Sequence, residues 1–403
     1  MRTPTKEDYI NNTHGDNMNF NLTEDQLAFK QAAKEFAIKE MAPHAAKWDK
    51  ESIFPVDVIK ATGELGFLGL YSPEEYGGLG LSRLDSSIIF EEMSQHCTST
   101  TAFLTIHNMC AWMVTTFADR ELAGQWGHKL TSGELLASYC LTEPGSGSDA
   151  ASMKTNAVIV GDEYVINGSK TFISGAGSTD VLVLMARTGE AGPKGISCFL
   201  VPADLDGIIY GKKEEKMGWN SQPTRLITFE NVRIPKANLI GEEGQGFKFA
   251  MNGLNGGRIN IASCSLGTAQ ASLKLAQEYM LERKQFGKPL AAFQALQFKI
   301  ADMATELIAA RQMVRLAAFK LDEKDANASA YCAMAKRYAT DICFQVCDEA
   351  LQLHGGYGYM KEYPIERHLR DSRVHRILEG TNEIMRLIIS RKILVEGAIE
   401  VIQ

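Results

Sequence analysis

The feature that most constrains this fold is a double change of hydrophobic period along the chain. Apolar residues recur at helical spacing from about residue 24 to 130. From about 135 to 235 they gather into short β-branched runs, and from Gly246 the helical period returns in long segments. The middle runs are Val158-Ile159-Val160, Tyr164-Val165-Ile166, Val181-Leu182-Val183-Leu184-Met185, Ile196-Ser197-Cys198-Phe199-Leu200-Val201 and Leu226-Ile227-Thr228-Phe229. They are separated by turn signals such as Gly161-Asp162-Glu163 and Asn167-Gly168, with no helix-length segment between them. Such runs pair through hairpins, so the middle region is expected to be an antiparallel barrel or sandwich.

The flanks are expected to be helical. Thr23-Glu24-Asp25-Gln26 reads as a capping box, followed by an apolar stripe up to Met41, before Pro43. Further helical patches cover 56–66, 83–97, 100–117 and 119–130. At the other end, segments near 246–282, 294–322, 326–354 and 371–397, with short connections, predict an antiparallel four-helix bundle. The fold class is therefore α+β and multidomain. It comprises a loose tail (1–19), an N-terminal helical domain (20–134), a middle β domain (135–245) and a C-terminal bundle (246–403).

Composition narrows the partners. A net charge of −7 argues against nucleic acid as the main partner, because phosphate contacts need clustered Lys and Arg. No apolar run reaches the length of a membrane span, and the N-terminus resembles neither a signal peptide nor an acid-poor transit peptide. A cytoplasmic protein is expected, with the mitochondrial matrix as the alternative. The eight cysteines lack paired spacing and suit reduced thiols; Cys343 and Cys347 are expected to fill core, and no metal is expected.

Two stretches carry candidate chemistry. Gly145-Ser146-Gly147-Ser148-Asp149-Ala150 matches the dinucleotide pattern G-x-G-x-x-A, but Pro144 precedes it and strands rather than a helix follow, so a Rossmann site is not expected. The loop can still bring backbone N–H groups, Thr142 and Ser148 to a phosphate or a ring edge. Near the C-terminus, Leu378-Glu379-Gly380 presents a carboxylate on a turn beside apolar surface, where desolvation favours base chemistry. The same residues suit a helix start, with Thr381 as cap and the glutamates complementing the helix N-terminus. These residues alone leave both readings open.

The order of motifs resembles the acyl-CoA dehydrogenase family. The resemblance rests on Tyr139-Cys140-Leu141-Thr142-Glu143-Pro144-Gly145-Ser146-Gly147-Ser148-Asp149, Asn167-Gly168-Ser169-Lys170-Thr171-Phe172-Ile173-Ser174 and Arg283-Lys284-Gln285-Phe286-Gly287. It continues through Gln352-Leu353-His354-Gly355-Gly356-Tyr357-Gly358 and Ile377-Leu378-Glu379-Gly380-Thr381-Asn382-Glu383. It implies oxidation of an acyl-CoA thioester between its α and β carbons, with Glu379 as base and FAD as hydride acceptor. It further implies FAD contacts from Tyr139, Leu141, Thr142, Ser148, Phe172, Ile173 and Ser174. From a neighbouring subunit it implies contacts by Arg283, Gln285, Phe286, Phe293, Gln294, Gln352, Gly355 and Gly356, and hence a homo-oligomer, in the family usually a tetramer. Thr381, Asn382 and Glu383 match further FAD positions. Ser148, Asn255, Gly256, Gly257, Arg258 and Arg391 match acyl-CoA positions. Electron-transfer flavoprotein is the implied electron acceptor.

Some relatives carry their base just before the arginine of the substrate helix, where this chain has Gly257. Many members read Gly-x-Arg-x-Ser-x-Thr where this chain reads Gly218-Trp219-Asn220-Ser221-Gln222-Pro223-Thr224, and this departure implies a short, α-branched acyl group. Trp219 is expected to fill core. Rival readings on the same scaffold are an oxygen-using oxidase or monooxygenase, and a DNA-binding relative.

Overall fold

The structure is a computed structural model that describes residues 20–397, so the tail expected over 1–19 lies outside the described residues. Helices α1 (Glu24–Phe36), α2 (Ala45–Glu51), α3 (Val56–Ala61), α4 (Arg83–Ser94), α5 (Thr98–Phe117) and α6 (Arg120–Thr131) form the first third. The capping box forms as read: Gln26 N donates to Thr23 Oγ1 (3.2 Å) and Thr23 N donates to Gln26 Oε1 (3.1 Å). The stripe beyond α1 continues as one π-helical turn, Ala37–Met41, which turns Ala37 and Met41 into the core.

Strands β1 (Ala137–Cys140), β2 (Asn156–Val160), β3 (Glu163–Ser174), β4 (Val181–Arg187), β5 (Ile196–Pro202), β6 (Ile208–Tyr210), β7 (Thr224–Pro235) and β8 (Leu239–Ile240) form one sheet. The order is β6-β7-β3-β2-β4-β5-β8, with β1 on β4. Two expectations are corrected, and the choice between barrel and sandwich is decided. The sheet is mixed rather than antiparallel, because β1 arrives from α6 rather than from a hairpin and joins β4 in parallel, and β2 meets β4 in parallel at Asn156 and Arg187. Its path ends at β6 and β8, so the sheet is an open sandwich and not a closed barrel. The Asn167-Gly168 pair is no turn: it lies inside β3, at a register slip against β7 where Gly168 adopts φ +142°. Alternation in β4 divides two cores. Val181, Val183 and Met185 face the helices with Met109, Met113 and Phe249, whereas Leu182, Leu184 and Ala186 pack inside the sheet with Ile166, Ile227 and Phe229.

The last third holds α7 (Gly246–Glu282), α8 (Gln294–Asp322) and α9 (Ala328–His354), packed on Leu266, Met303, Leu307, Val314, Cys343 and Cys347. Between α7 and α8 a small hairpin pairs β9 (Lys284–Gln285) with β10 (Lys288–Pro289). The fourth segment differs from the single helix expected over 371–397. It divides into α10 (Ile365–Arg373), a 3-10 turn (Val374–Arg376) and α11 (Asn382–Leu394). The break contains Glu379 at φ +56° and Gly380 at φ +85°, two successive left-handed residues that no right-handed helix can contain. All eight cysteines are free and buried, as expected of core thiols. No helix among the described residues is long and apolar enough to cross a membrane.

The long helix α7 carries the site and is fixed by close approach. A Cβ on Gly267 would lie 2.0 Å from the Glu91 carbonyl oxygen and 2.0 Å from Ser94 Oγ on α4. Gly267→Ala is expected to cost about 1–3 kcal/mol, the usual penalty of overpacking. The measurement is the denaturant midpoint at unchanged slope, and an unshifted midpoint would show that α4 and α7 have room to part.

Candidate active site

Glu379 sits on the left-handed turn between the 3-10 turn and α11. Ile384 N donates to Thr381 Oγ1 (3.2 Å), capping α11 as the helix-start reading expects, and Leu378 beside the carboxylate packs with Trp219, Ile261 and Cys264. The residue keeps some surface, but its Oε2 is buried and has no hydrogen-bond partner. That oxygen rests against α7 where a Cβ on Gly257 would come within 2.4 Å, so the glycine makes room for the carboxylate. Burial pushes the carboxyl up to about 7, and the charges of Arg258 and then Lys336 pull it back. The tuning that the sequence leaves undecided therefore goes to enclosure.

The surrounding groups come from several elements. Arg258 of α7 donates through Nη1 to Asn255 Oδ1 (2.7 Å), and its Nε is buried without a partner. Tyr139 on β1 points a buried, unpartnered hydroxyl inward, and burial, with Glu379's charge beside it, keeps the phenol protonated. Arg83 of α4, which sequence reading missed, is 8% exposed; its guanidinium lies 3.4 Å over the Tyr71 ring and 4.9 Å from Trp112. Its Nη1 has no partner and occupies the space where a Cβ on Gly256 would come within 2.4 Å. Consecutive glycines of α7 thus admit Arg83 and Glu379 from two different elements. Gly256-Gly257 was the available signal, but from sequence Ser82-Arg83 reads only as a helix start.

The motif at 139–149 is anchored from beneath. Lys170 of β3, with no exposure, donates to the Leu141 carbonyl (2.9 Å) and to Glu143 Oε1 (2.8 Å), while the N–H groups of Lys154 and Thr155 also donate to Glu143. Thr171 N donates to the Thr142 carbonyl (2.9 Å). Above these anchors the loop is open: Ser148 is exposed, and a Cβ on Gly145 or Gly147 would meet nothing within 4 Å. Phe172 adopts φ +58° at a register slip of β3 and stands 69% exposed, while Ile173 beside it is buried and the Ser174 carbonyl accepts from Ser138 Oγ. A strained backbone that holds a large aromatic ring out of the core fits a flat aromatic ligand laid against it.

The remaining positions form a second group. Arg283, Gln285, Gln352, Gly355 and Gly356 line a cavity of about 770 Å³, with the Arg283 guanidinium 5.5 Å from the Tyr357 ring. Phe286, 94% exposed at the tip of the β9–β10 hairpin, meets Phe293 edge-on, and Gln294 is exposed at the first residue of α8. None of the residues lining this cavity belongs to the Glu379 group. One chain therefore does not bring the two groups together. Glu383 and Arg391 are exposed on α11, whereas Asn382 is 2% exposed with its side chain engaged by Lys336, Thr340 and Asp341.

A buried unpaired carboxylate on the helical side and, on the sheet, an exposed aromatic ring held by a strained backbone fit an oxidoreductase that lays a flat aromatic ligand against the sheet. The comparisons specify it further. Acyl-CoA dehydrogenase N-terminal, middle and C-terminal domain families match residues 23–134, 138–232 and 244–394. The chain is 56% identical over 375 residues to isobutyryl-CoA dehydrogenase of Bos taurus, covering 93% of this chain and 90% of that protein. It is 58% identical over 378 residues to the Dictyostelium discoideum enzyme of the same name, covering 94% and 91%. The structure of butyryl-CoA dehydrogenase from Megasphaera elsdenii superposes with TM-score 0.90 at 39% identity, over 92% of this chain and 98% of that one. The chain belongs to the acyl-CoA dehydrogenase family, whose members depend on FAD.

The raised pKa of Glu379 has a sign. Folding favours its protonated form, so this contribution to stability is full below the unfolded value of 4.5 and is lost as pH rises through about 7. The loss amounts to about 3 kcal/mol at about 1.4 kcal/mol per unit. Glu379→Gln cannot ionise, so its thermal midpoint is expected to rise relative to the parent between about pH 5 and pH 8, while turnover falls by about 10²–10⁴. Parallel midpoint curves would show that the carboxylate is solvated in the native protein.

Proposed function

We propose that this chain oxidises isobutyryl-CoA to methacrylyl-CoA, the dehydrogenation step of valine breakdown. The unpaired Glu379 carboxylate supports the reaction, and the 56% and 58% identity to two isobutyryl-CoA dehydrogenases carries the choice of acyl group. Glu379 Oε2 takes the α-proton. Among the described hydrogen bonds, the Glu379 N–H donates to no protein group, which leaves it free for the thioester oxygen as negative charge builds there. Tyr139, Leu141, Thr142, Ser148, Phe172, Ile173, Ser174 and Thr381 would hold FAD, which when bound would supply the acceptor for the β-hydride. Arg258, whose fork Asn255 orients, and Ser148 face the acyl-CoA side.

Arg83 supports a short acyl group. It is stacked on Tyr71 and Trp112 and wedged against Gly256, one residue from the glycine that admits Glu379, which makes its rigid plane the candidate wall of the acyl space. The cavity at Arg283 and Gly355 completes the cofactor site of a neighbouring copy, so the active unit is a homo-oligomer, read here as a tetramer. Electrons leave to an electron-transfer flavoprotein.

The test is anaerobic bleaching of the bound flavin by isobutyryl-, 2-methylbutyryl-, butyryl- and isovaleryl-CoA. Isobutyryl-CoA should bleach fastest; a clear win for butyryl-CoA would overturn the substrate, and rapid turnover on air alone would favour an oxidase. Arg83→Ala is expected to raise kcat/KM for hexanoyl-CoA relative to isobutyryl-CoA by about 10-fold or more, the discrimination that methylene-sized space supplies. An unchanged ratio would place the wall elsewhere.

A further inference from the structure

Glu379 and Gly380 are successive left-handed residues, and for a side chain as large as glutamate that conformation is strained. Something must hold the turn. Lys336 of α9 has no exposure, and its Nζ donates to the Gly380 carbonyl oxygen (2.8 Å) and to Asn382 Oδ1 (2.9 Å). Asn382 in turn donates to Thr340 Oγ1 (3.0 Å) and Asp341 Oδ1 (2.9 Å), so α9 grips the turn on its C-terminal side of Glu379. A cation buried in this way carries a desolvation cost that a neutral donor would avoid, and filling space does not explain it.

We propose that Lys336 is a positioning residue for the reaction: its ammonium fastens the Gly380 carbonyl, aims the Glu379 carboxylate, and places beside it a positive charge that favours its proton-accepting form. The proposal rests on Glu379 being the base. The groups facing Glu379 are Arg258 of α7, Lys336 of α9, Tyr139 of β1 and Cys110 of α5, and burial keeps the last two neutral. Burial likewise brings Lys336 down to about 7; Glu379, then Asp341 and Glu383, oppose the shift, and Arg258 reinforces it. The charge of each group therefore opposes the shift that burial imposes on the other.

The experiment uses the FAD-loaded full chain and single-turnover bleaching by isobutyryl-CoA across pH. Lys336→Met removes both donor and charge; Lys336→Gln keeps a donor for the Gly380 carbonyl and removes the charge. Both are expected to move the acid limb of the pH profile upward by about one unit, as loss of one nearby cation predicts at an effective dielectric near 20. Lys336→Met should also lose about 10–100-fold in maximal rate, Lys336→Gln less, with substrate affinity nearly unchanged, because an aiming defect acts on the barrier and not on binding. If Lys336→Met does not fold, Lys336→Gln carries the charge test alone. An unmoved acid limb, with only a lowered thermal midpoint, would overturn the proposal and leave Lys336 a structural residue. Glu379→Gln, run alongside, separates the two failures: near-normal turnover in that variant sinks the base itself, whereas a dead Glu379→Gln with an unmoved Lys336 limb sinks only the present proposal.

Discussion

A carboxylate oxygen buried without a hydrogen-bond partner is the constraint on which the rest of the structure depends. Such a group costs free energy in an ordinary core, and it persists only where surrounding structure overdetermines its place. Here the surroundings are drawn from across the chain. Gly257 of α7 leaves the space, Arg258 and Lys336 supply charge, and Leu378 closes the apolar side with Trp219, Ile261 and Cys264. The result is a carboxyl raised by enclosure into the range where a general base works, with the charges of Arg258 and Lys336 opposing the shift.

The frame explains why these parts can meet. Helix α7 touches both other regions: Gly253 lies against Met109 and Met113 of α5, and Gly246 against the Ser197 backbone of β5. Small residues along this helix set its distance to each neighbour, and its buried hydroxyls bond back to the helix itself, as Ser263 does to the Ile259 carbonyl (2.8 Å). The helix therefore satisfies the protons of these hydroxyls along its own axis and leaves their lone pairs to neighbouring elements, as Ser265 does to His375. Its register, once fixed, places Gly256, Gly257 and Arg258 together.

Much of this was legible in the sequence, for reasons that differ from case to case. Helical period and the Thr23 capping box are local signals, and they survive tertiary packing. Five strands were visible as runs, whereas β1, β6 and β8 are too short to stand out, and pairing is not local: only its approach from α6 makes β1 parallel to β4. Asn167-Gly168 carried true turn chemistry that β3 spends on a register slip instead. In the site, Glu379 was visible because it sits in a motif. Arg83 and Lys336 were not, because each lies in an ordinary helical stretch and becomes special only through what another element places against it.

The segment Gly218–Thr224, which departs from the commoner family pattern, shows how distant sequence reaches the base. Gly218 packs so tightly that a Cβ would meet the Arg370 carbonyl at 2.6 Å, and Trp219, at φ +56°, donates its N–H to Asp371 Oδ1 (2.6 Å). The Trp219 indole donates to His375 Nε2 (3.3 Å), and burial brings that imidazole down to about 3, so it stays neutral. With Nε2 accepting, the ring proton must sit on Nδ1, which donates to Ser265 Oγ (2.7 Å); that hydroxyl donates onward to the Ile261 carbonyl (2.9 Å). Every group in the chain has one assignment, from a loop of the β domain through the 3-10 turn to α7. The expectation that Trp219 fills core holds, since it is 6% exposed, but its backbone and indole also fix Asp371 and His375, between which the chain turns toward Glu379. A substitution in this loop therefore reaches the Glu379 carboxylate through the path of the backbone.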